Sequence, residues 1–330
     1  MTNEAANVGK EKGGLKDLMK GLKLNLPTEE EMAKMAREHY ENNRLNPNNF
    51  SFWFNPMSNA LKAEFKVPKS LVMEYPFELR EKIRQDRHAI TPEIIKELEQ
   101  FVFQNEEVKA LNKQTQHFFI KTGVFSNKFD FDGSCNLQDW SNLFEQIYSL
   151  EYMAMTYSAN HTNELVIREF ITDVENRKTI YNGMPLRTEF RVFYDFDEGK
   201  VLGVANYWHP EEMIKALTPY SVRSIFAEIT DIEEQRKLKK QLMAKLNNYD
   251  KQSFEEYFAY LDTKDFIVQE YDALKAIVAS KVAKAFKEKK CPLKGQWSID
   301  IMKNGNDFYF IDAAIMSQSA LVNRMEAVEK

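Results

Sequence analysis

Trp297-Ser-Ile-Asp300-Ile-Met-Lys-Asn304-Gly305-Asn-Asp307-Phe-Tyr-Phe-Ile-Asp312-Ala-Ala314 decides how this chain is read. Asn-Gly between two apolar runs marks a two-residue hairpin turn, because so tight a turn needs residues that tolerate positive φ. Trp297–Met302 and Asp307–Ala313 are therefore expected as paired antiparallel strands. Each holds an aspartate within an apolar run, and the turn brings Asp300 and Asp312 side by side. Two half-buried carboxylates repel, which raises the pKa of one of them unless a hard cation sits between. Magnesium held by Asp300 and Asp312, with nucleotide phosphates completing its shell, fits this arrangement. Removing either charge should then leave the ligand-free protein as stable as before, or slightly more so. The alternative makes one aspartate a cap and leaves the other on the surface.

Upstream, Arg187-Thr-Glu189-Phe-Arg191-Val-Phe193 alternates strictly, so Glu189, Arg191 and Phe193 share one strand face and Phe190, Val192 and Tyr194 the other. Arg191 is a fixed cation there, able to meet phosphate oxygens bidentately or to pair with an acid across the strands. Leu165-Val-Ile-Arg168-Glu169-Phe170-Ile171 is strand-like but turns polar in its middle, where adjacent charges must pair or face a cleft. Lys121 ends the apolar run His117-Phe-Phe-Ile, so its ammonium must find an anion or reach solvent. The segment behind it, Thr122-Gly-Val-Phe-Ser126-Asn127-Lys128, can turn and offers hydroxyl, amide and ammonium donors, as a loop covering phosphates would. The plain alternative is a strand-end lysine with no ligand. If Lys121 serves a ligand, Lys121→Ala should cost little stability.

Residues 1–27 read as a mobile arm with one short helix around Leu15–Leu22. Thr28 with Glu31 makes a capping box for a helix to about Asn42. Asn46–Pro56, rich in Asn and Pro, reads as a loop anchored by Phe50, Phe52, Trp53 and Phe54. Helices follow over Phe77–Arg87, Pro92–Phe103 and from Asn105, then over Leu137–Met153 and most of Ser224–Lys289. Val201–Tyr207 pairs with Glu189–Tyr194 through the turn Asp197-Glu-Gly199. The class is α+β: a helical N-terminal region, residues 28–115, precedes two α+β subdomains with antiparallel sheets, residues 116–175 and 176–330, that enclose a cleft.

Several functions are excluded. Of eleven glycines none lies between Leu22 and Thr122, and neither G-x-G-x-x-G nor G-x-x-x-x-G-K-[ST] occurs, so a nucleotide would need a scaffold other than a Rossmann or Walker-type loop. Lys121-Thr-Gly and Lys128-Phe-Asp-Phe-Asp-Gly133 both miss the K-x-[DN]-G spacing of lysyl nucleotidyltransferases. A formal charge of −5 provides no field for nucleic acid or an anionic membrane, and no apolar run approaches the roughly 20 residues of a spanning helix. Cys135 and Cys291 have neither metal nor disulfide spacing. A cytoplasmic protein with no membrane or nucleic-acid partner is expected.

Taken in chain order, these segments resemble the ATP-grasp superfamily over roughly residues 117–315, and most of all the ATP-grasp proteins that help assemble a eukaryotic translation initiation factor. The shared features are a lysine after apolar residues, an R-E-aromatic hinge, an E-F-R-V-F strand and a terminal D…ID pair. The resemblance implies that Lys121 touches the α-phosphate and adenine edge, and that Ser126, Asn127 and Lys128 cover the β- and γ-phosphates. It implies that the backbone of Glu169-Phe170-Ile171 bonds adenine and that Asp173 or Glu175 takes the ribose hydroxyls. Arg191 would lie near the γ-phosphate, with Arg187 as a second possibility; Arg191 and Lys128 would act in catalysis, and Asp300 and Asp312 would hold Mg2+. The family places Asn two residues beyond the last acid, where this chain has Ala314. Either the metal has fewer protein ligands, Ser317 or Gln318 substitutes, or catalysis is weakened. The implied activity is an ATP- and Mg2+-dependent ligase that activates an unknown carboxylate as an acyl phosphate for attack by an amine. The alternative is a non-enzymatic ATP-binding assembly factor or chaperone for a protein partner.

Overall fold

The computed structural model describes residues 27–229, 231–243 and 248–328. The N-terminal arm and the helix expected near Leu15–Leu22 lie outside them, Pro27 apart. The chain divides after Asn42 into two units. In the first, the capping box forms as read: Thr28 N donates to Glu31 Oε2 at 2.7 Å and Glu31 N to Thr28 Oγ1 at 3.2 Å, opening α1 (Glu29–Arg44).

The second unit continues with α2 (Phe50–Leu61), β1 (Ser70–Glu74), α3 (Phe77–Ile83), α4 (Pro92–Phe103), α5 (Glu106–Asn112), β2 (Phe118–Thr122), β3 (Asn136–Leu137), α6 (Leu143–Thr156) and β4 (Glu164–Glu169). There follow β5 (Thr179–Ile180), β6 (Met184–Pro185), β7 (Glu189–Asp195), β8 (Lys200–Asn206), α7 (Pro210–Leu217), α8 (Arg223–Glu228), α9 (Ile232–Leu242), α10 (Asn248–Glu288), β9 (Gln296–Asn304) and β10 (Asp307–Ile315). The fold is α+β with antiparallel sheets. Two four-stranded sheets, ordered β1-β4-β2-β3 and β10-β9-β7-β8, accompany a small β5-β6 hairpin.

Side-chain alternation decides what each sheet faces. In the first sheet Phe118, Ile120, Leu165 and Ile167 pack against Leu79, Leu98, Val108, Leu143 and Ile147 of the surrounding helices. The intervening residues Phe119, Lys121, Val166 and Arg168 point the other way, with Phe119 opposite Arg168 and Lys121 opposite Val166. In the second sheet Phe190, Val192, Val204, Ile299 and Ile301 bury against α2 and α10, leaving Arg191 and Asp300 on the opposite face. The hairpin turn falls one residue later than the sequence reading places it: Asn304 pairs with Asp307, and Gly305-Asn306 are the two turn residues, with Gly305 at φ +63°. No helix among the described residues is long and apolar enough to cross a membrane.

Two stretches differ from the sequence reading. Asn46–Pro56 is a loop only as far as Asn49: from Phe50 the chain is helical, because Phe50, Trp53, Met57, Ala60 and Leu61 form a buried stripe at helical spacing, and burial of that stripe outweighs the backbone donor lost at Pro56 inside α2. Residues 28–115 are not purely helical either, since Ser70–Glu74 is the outer strand of the first sheet, paired with β4 from Ser70↔Arg168 to Glu74↔Glu164. Its five residues, Ser-Leu-Val-Met-Glu, hold three apolar residues in a row and show no two-residue alternation in the sequence, although Leu71 and Met73 are buried on one face.

Glu164 links the first sheet to α2. Its carboxylate accepts from Ser51 N at 3.3 Å and from the Ser51 hydroxyl, capping a helix whose own N-cap, Asn49, turns its side chain to Asn43 O and makes no capping bond. Burial raises the Glu164 carboxyl above the usual glutamate range, against the pull of those donors. Gly123 makes room for it: a Cβ there would lie 2.5 Å from Glu164 Oε2 and 2.5 Å from Thr162 Oγ1. Glu164→Ala is expected to cost about 1–3 kcal/mol through the lost cap. Gly123→Ala should cost a similar amount, and the double variant less than the sum, because both act on one contact. Urea unfolding of the three variants checks this.

Candidate functional site

The first-sheet face bearing Phe119, Lys121 and Arg168 meets the second sheet along β10. Lys121 Nζ donates to Asp312 Oδ1 and Oδ2 at 3.0 and 2.8 Å, and Arg168 Nη1 donates to Ile311 O at 2.6 Å. Asp312 is the direct cross-strand partner of Asp300 in β9, and Asp300 that of Arg191 in β7. Direct antiparallel partners share a face with Cβ atoms about 4.5–5.5 Å apart. Arg191 grips Asp300 with both forks, Nε to Oδ1 and Nη2 to Oδ2, each at 2.8 Å. The result is a row across the strands: Lys121, Asp312, Asp300, Arg191.

The row lies beside two cavities. One, about 50 Å3, is walled by Phe119, Phe131, Phe170, Ile171, Met184 and Met302, with Lys128, Arg168, Arg187 and Glu189 also lining it. The other, about 480 Å3, is polar: Asp300, Asp312, Arg191, Tyr207, Asn48 and Gln318 are among its walls. Lys128 stands on the wall of the first with its Nζ 4.9 Å from the centre of the Tyr207 ring, which belongs to the second.

The acid pair does not behave as a bare repelling pair. Burial opposes charge on Asp312, but the Lys121 ammonium, with Lys128 and Arg168 further off, holds its carboxyl below the usual aspartate range. Burial also opposes charge on Arg191, and Asp300 more than offsets it. The expected raised pKa is therefore absent from Asp312, because each acid already has its own cation. For the same reason two stability expectations are corrected: removing either aspartate strands a cation, and Lys121, at 2% exposure, belongs to a buried pair rather than to a free strand end.

Other expected residues fall in different places. Of the covering segment, Gly123 and Val124 line the polar cavity and Lys128 the apolar one, while Ser126 and Asn127 line neither. Asn127 is buried and its carbonyl accepts from Ser134 Oγ at 2.8 Å. Glu169, Phe170 and Ile171 edge the apolar cavity. Phe170 N is spent on His117 O at 3.2 Å and Ile171 O on Arg187 Nη2 at 2.9 Å, and no hydrogen bond among the described residues uses the Ile171 N–H. Arg187 thus sits at the hinge, away from the acid pair. Asp173 is turned to Arg187 Nε at 3.3 Å and Arg177 N at 2.7 Å and does not line the cavity. Glu175 is likewise engaged, by Arg177 and Lys303.

Glu189 was missed as a site residue. It is 1% exposed, lies on the cavity wall, and its Oε2 has no hydrogen-bond partner among the described residues, the nearest cation being Lys128 Nζ at 3.8 Å. Burial raises its carboxyl above the usual glutamate range, only partly countered by Lys128. The signal was present in the strict alternation that puts Glu189 on the Arg191 face. Asn48 was missed because its segment read as a loop. Its side chain bonds Gln318 and accepts from Ile315 N at 2.8 Å, bracketing the position of Ala314.

No protein-family model matches the chain, and no curated protein matches its sequence. Among solved structures it is similar to Cdc123 from Schizosaccharomyces pombe, with 13% identity, 83% of this chain and 85% of that chain covered, and a TM-score of 0.42. Against a C-terminally truncated form of the same protein the values are 12%, 88%, 95% and 0.45. It is also similar to D-alanine–D-alanine ligase from Bacillus anthracis complexed with ATP, at 11% identity over 82% of this chain and 53% of that one, TM-score 0.31. A RimK domain ATP-grasp protein from Sphaerobacter thermophilus gives 8%, 82%, 60% and 0.32.

Lys121→Met is expected to cost about 2 kcal/mol at neutral pH, because Asp312 is left half-buried without its cation. The Lys121 contact depresses the Asp312 pKa, so its contribution is full above the unfolded value near pH 4 and is lost as pH falls through the lower folded value. The gap between wild type and variant should therefore narrow on acidification, as a series of denaturant midpoints from pH 3 to 7 will show.

Proposed function

We propose that the cleft binds ATP with Mg2+, the base in the apolar cavity and the phosphates at the acid row. On this reading the first sheet is the lid and the second the base of an ATP-grasp-like site. The observation that carries it is the row Lys121–Asp312–Asp300–Arg191 at the junction of an apolar and a polar cavity. Two cross-strand carboxylates are a hard-oxygen donor pair suited to magnesium, whose remaining positions phosphate oxygens and water would fill. Bound there, the ion would neutralise phosphate charge. Lys121 and Arg191, relieved of their carboxylates, would turn to phosphate oxygens, Arg191 bidentately. The Ile171 N–H offers the base a donor, and the unpaired Glu189 Oε2 offers a ligand N–H or O–H an acceptor that it otherwise lacks.

The polar cavity gives the γ-phosphate a neighbour, which favours a transfer reaction. A substrate carboxylate oxygen attacks the γ-phosphorus, ADP leaves, an amine attacks the resulting acyl phosphate, and inorganic phosphate departs. This chemistry rests on positioning and charge neutralisation, for which Lys121, Lys128, Arg191 and the acid pair suffice without a side-chain nucleophile. A second reading, an ATP-binding assembly factor with a protein partner, is favoured by Ala314, which supplies no third ligand beside Asp312. The two free, buried cysteines suit a reducing compartment such as the cytoplasm.

Calorimetry should show ATP binding that is strengthened by Mg2+, with GTP at least about tenfold weaker because its 6-oxo and N1–H groups exchange donor and acceptor at the hinge. Asp300→Asn and Asp312→Asn should lose the Mg2+-dependent part of the affinity. No ATP binding by the wild-type protein would overturn both readings. ADP release with hydroxylamine as the amine, over a pool of carboxylates, separates them: hydroxamate marks the ligase, and tight binding without turnover the assembly factor.

A further inference from the structure

Tyr207 carries two cations on one ring. Its centroid lies 4.9 Å from Lys128 Nζ and 4.8 Å from Arg191 Cζ. The two come from different parts of the fold, Lys128 from a turn of the covering segment and Arg191 from strand β7. Arg191 is already fixed by its two bonds to Asp300, whereas the carboxylate nearest Lys128, on Glu189, is 3.8 Å away and too far for a hydrogen bond. Tyr207 itself is well placed to hold something: its backbone N donates to Glu189 O at 3.1 Å at the end of β8, and its ring packs edge-on to the buried Trp208 at 5.0 Å.

We propose that Tyr207 is a positioning residue that sets Lys128 beside Arg191 at the mouth of the acid row, a role that rests on the nucleotide reading above. The chemistry of the clamp suits that role. A carboxylate holding Lys128 would cancel its charge and repel phosphate, whereas an aromatic face holds a cation through the ring quadrupole and leaves the ammonium protons and the positive charge available to an anion. Burial opposes charge on Lys128, and the surrounding acids, Glu189, Asp300 and Asp312 among them, help to offset it, so the ammonium stays protonated. The remainder of the covering segment has other anchors. Phe131 N and Asp132 N donate to Tyr181 O and Asn182 O, both at 2.9 Å, and Asn182 Nδ2 donates to Asp130 Oδ1 at 2.8 Å. Within residues 124–130 the rings of Phe125 and Phe129 pack on Tyr157 and Tyr181, and Ser134 Oγ donates to Asn127 O and Asp130 O, so Tyr207 is the hold on the Lys128 side chain among them.

The test is hydrogen exchange of the ligand-free protein together with ATP titration, on wild type, Tyr207→Phe and Tyr207→Leu. Tyr207→Leu should speed exchange over residues 124–130 several-fold and leave 131–135 unchanged, and it should weaken ATP binding about tenfold. Tyr207→Phe, which keeps the ring, should match wild type in both. Lys128→Met provides a second route should Tyr207→Leu fold poorly: it should loosen residues 124–130 as Tyr207→Leu does. Unchanged exchange over 124–130 in folded Tyr207→Leu or in Lys128→Met overturns the proposal, as does a Tyr207→Phe that behaves like Leu. The exchange readout decides the role of Tyr207 and the wild-type titration decides nucleotide binding, so failure of one is not mistaken for failure of the other.

Discussion

Everything in the cleft depends on two aspartates that the β9–β10 hairpin sets directly opposite each other on one face. Facing carboxylates in a half-buried site cannot both stay charged without compensation. Here the compensation comes from two sources: Arg191 on the neighbouring strand of the same sheet, and Lys121 from the other sheet. The second source matters most for the architecture. Neutralising Asp312 requires the first sheet to lie across the second, so the same ion pair that relieves the repulsion also defines the cleft.

The ion pairs also explain how one site can exist with and without a polyanion. In the ligand-free protein Asp312 has Lys121 and Asp300 has Arg191. A metal–phosphate ligand brings its own charges of both signs, so partners can be exchanged without leaving a buried charge alone, a state that costs several kcal/mol. Lys128 differs from the other cations in having no carboxylate within hydrogen-bond reach. Its charge is held by an aromatic ring instead, which leaves it open to an anion from the start.

Behind the cleft, a second charge network stiffens the connection between the sheets. Glu270 of α10 accepts from the Thr188 hydroxyl, lies 2.9 Å from Lys303 Nζ and 3.4 Å from Arg177 Nη2, and Arg177 stacks 4.1 Å from the centre of the Phe266 ring. Asp173 and Glu175, read from the sequence as ligand groups, belong to this network with Arg187, Arg177 and Lys303. They hold the segment around Ile171 through Arg187, which donates to Ile171 O at 2.9 Å.

The sequence alone determined the features that rest on local rules. The Asn304-Gly305 signal and the apolar runs beside it dictate a hairpin, whereas Asp300 faces Asp312 rather than Ile311 only because the register shifts between Phe310 and Asp312. The alternation of Glu189-Phe-Arg191 dictates which face carries the cation, and the Thr28–Glu31 pair dictates a helix start. These depend on φ preferences, the two-residue period of a strand and capping, all set within a few residues. Only the tertiary structure decided which charges meet. Lys121 and Asp312 are 191 positions apart, the stripe of α2 is helical because two sheets and α10 leave a groove for it, and Ser70–Glu74 is a strand because β4 offers an edge. Asp173 and Glu189 were sorted by their surroundings: Asp173 pairs with Arg187 and accepts from Arg177 N away from the apolar cavity, while Glu189 lies on its wall with Lys128 no nearer than 3.8 Å. Burial and pairing across long chain separations set the charge and availability of each group, and no short window of residues contains that information.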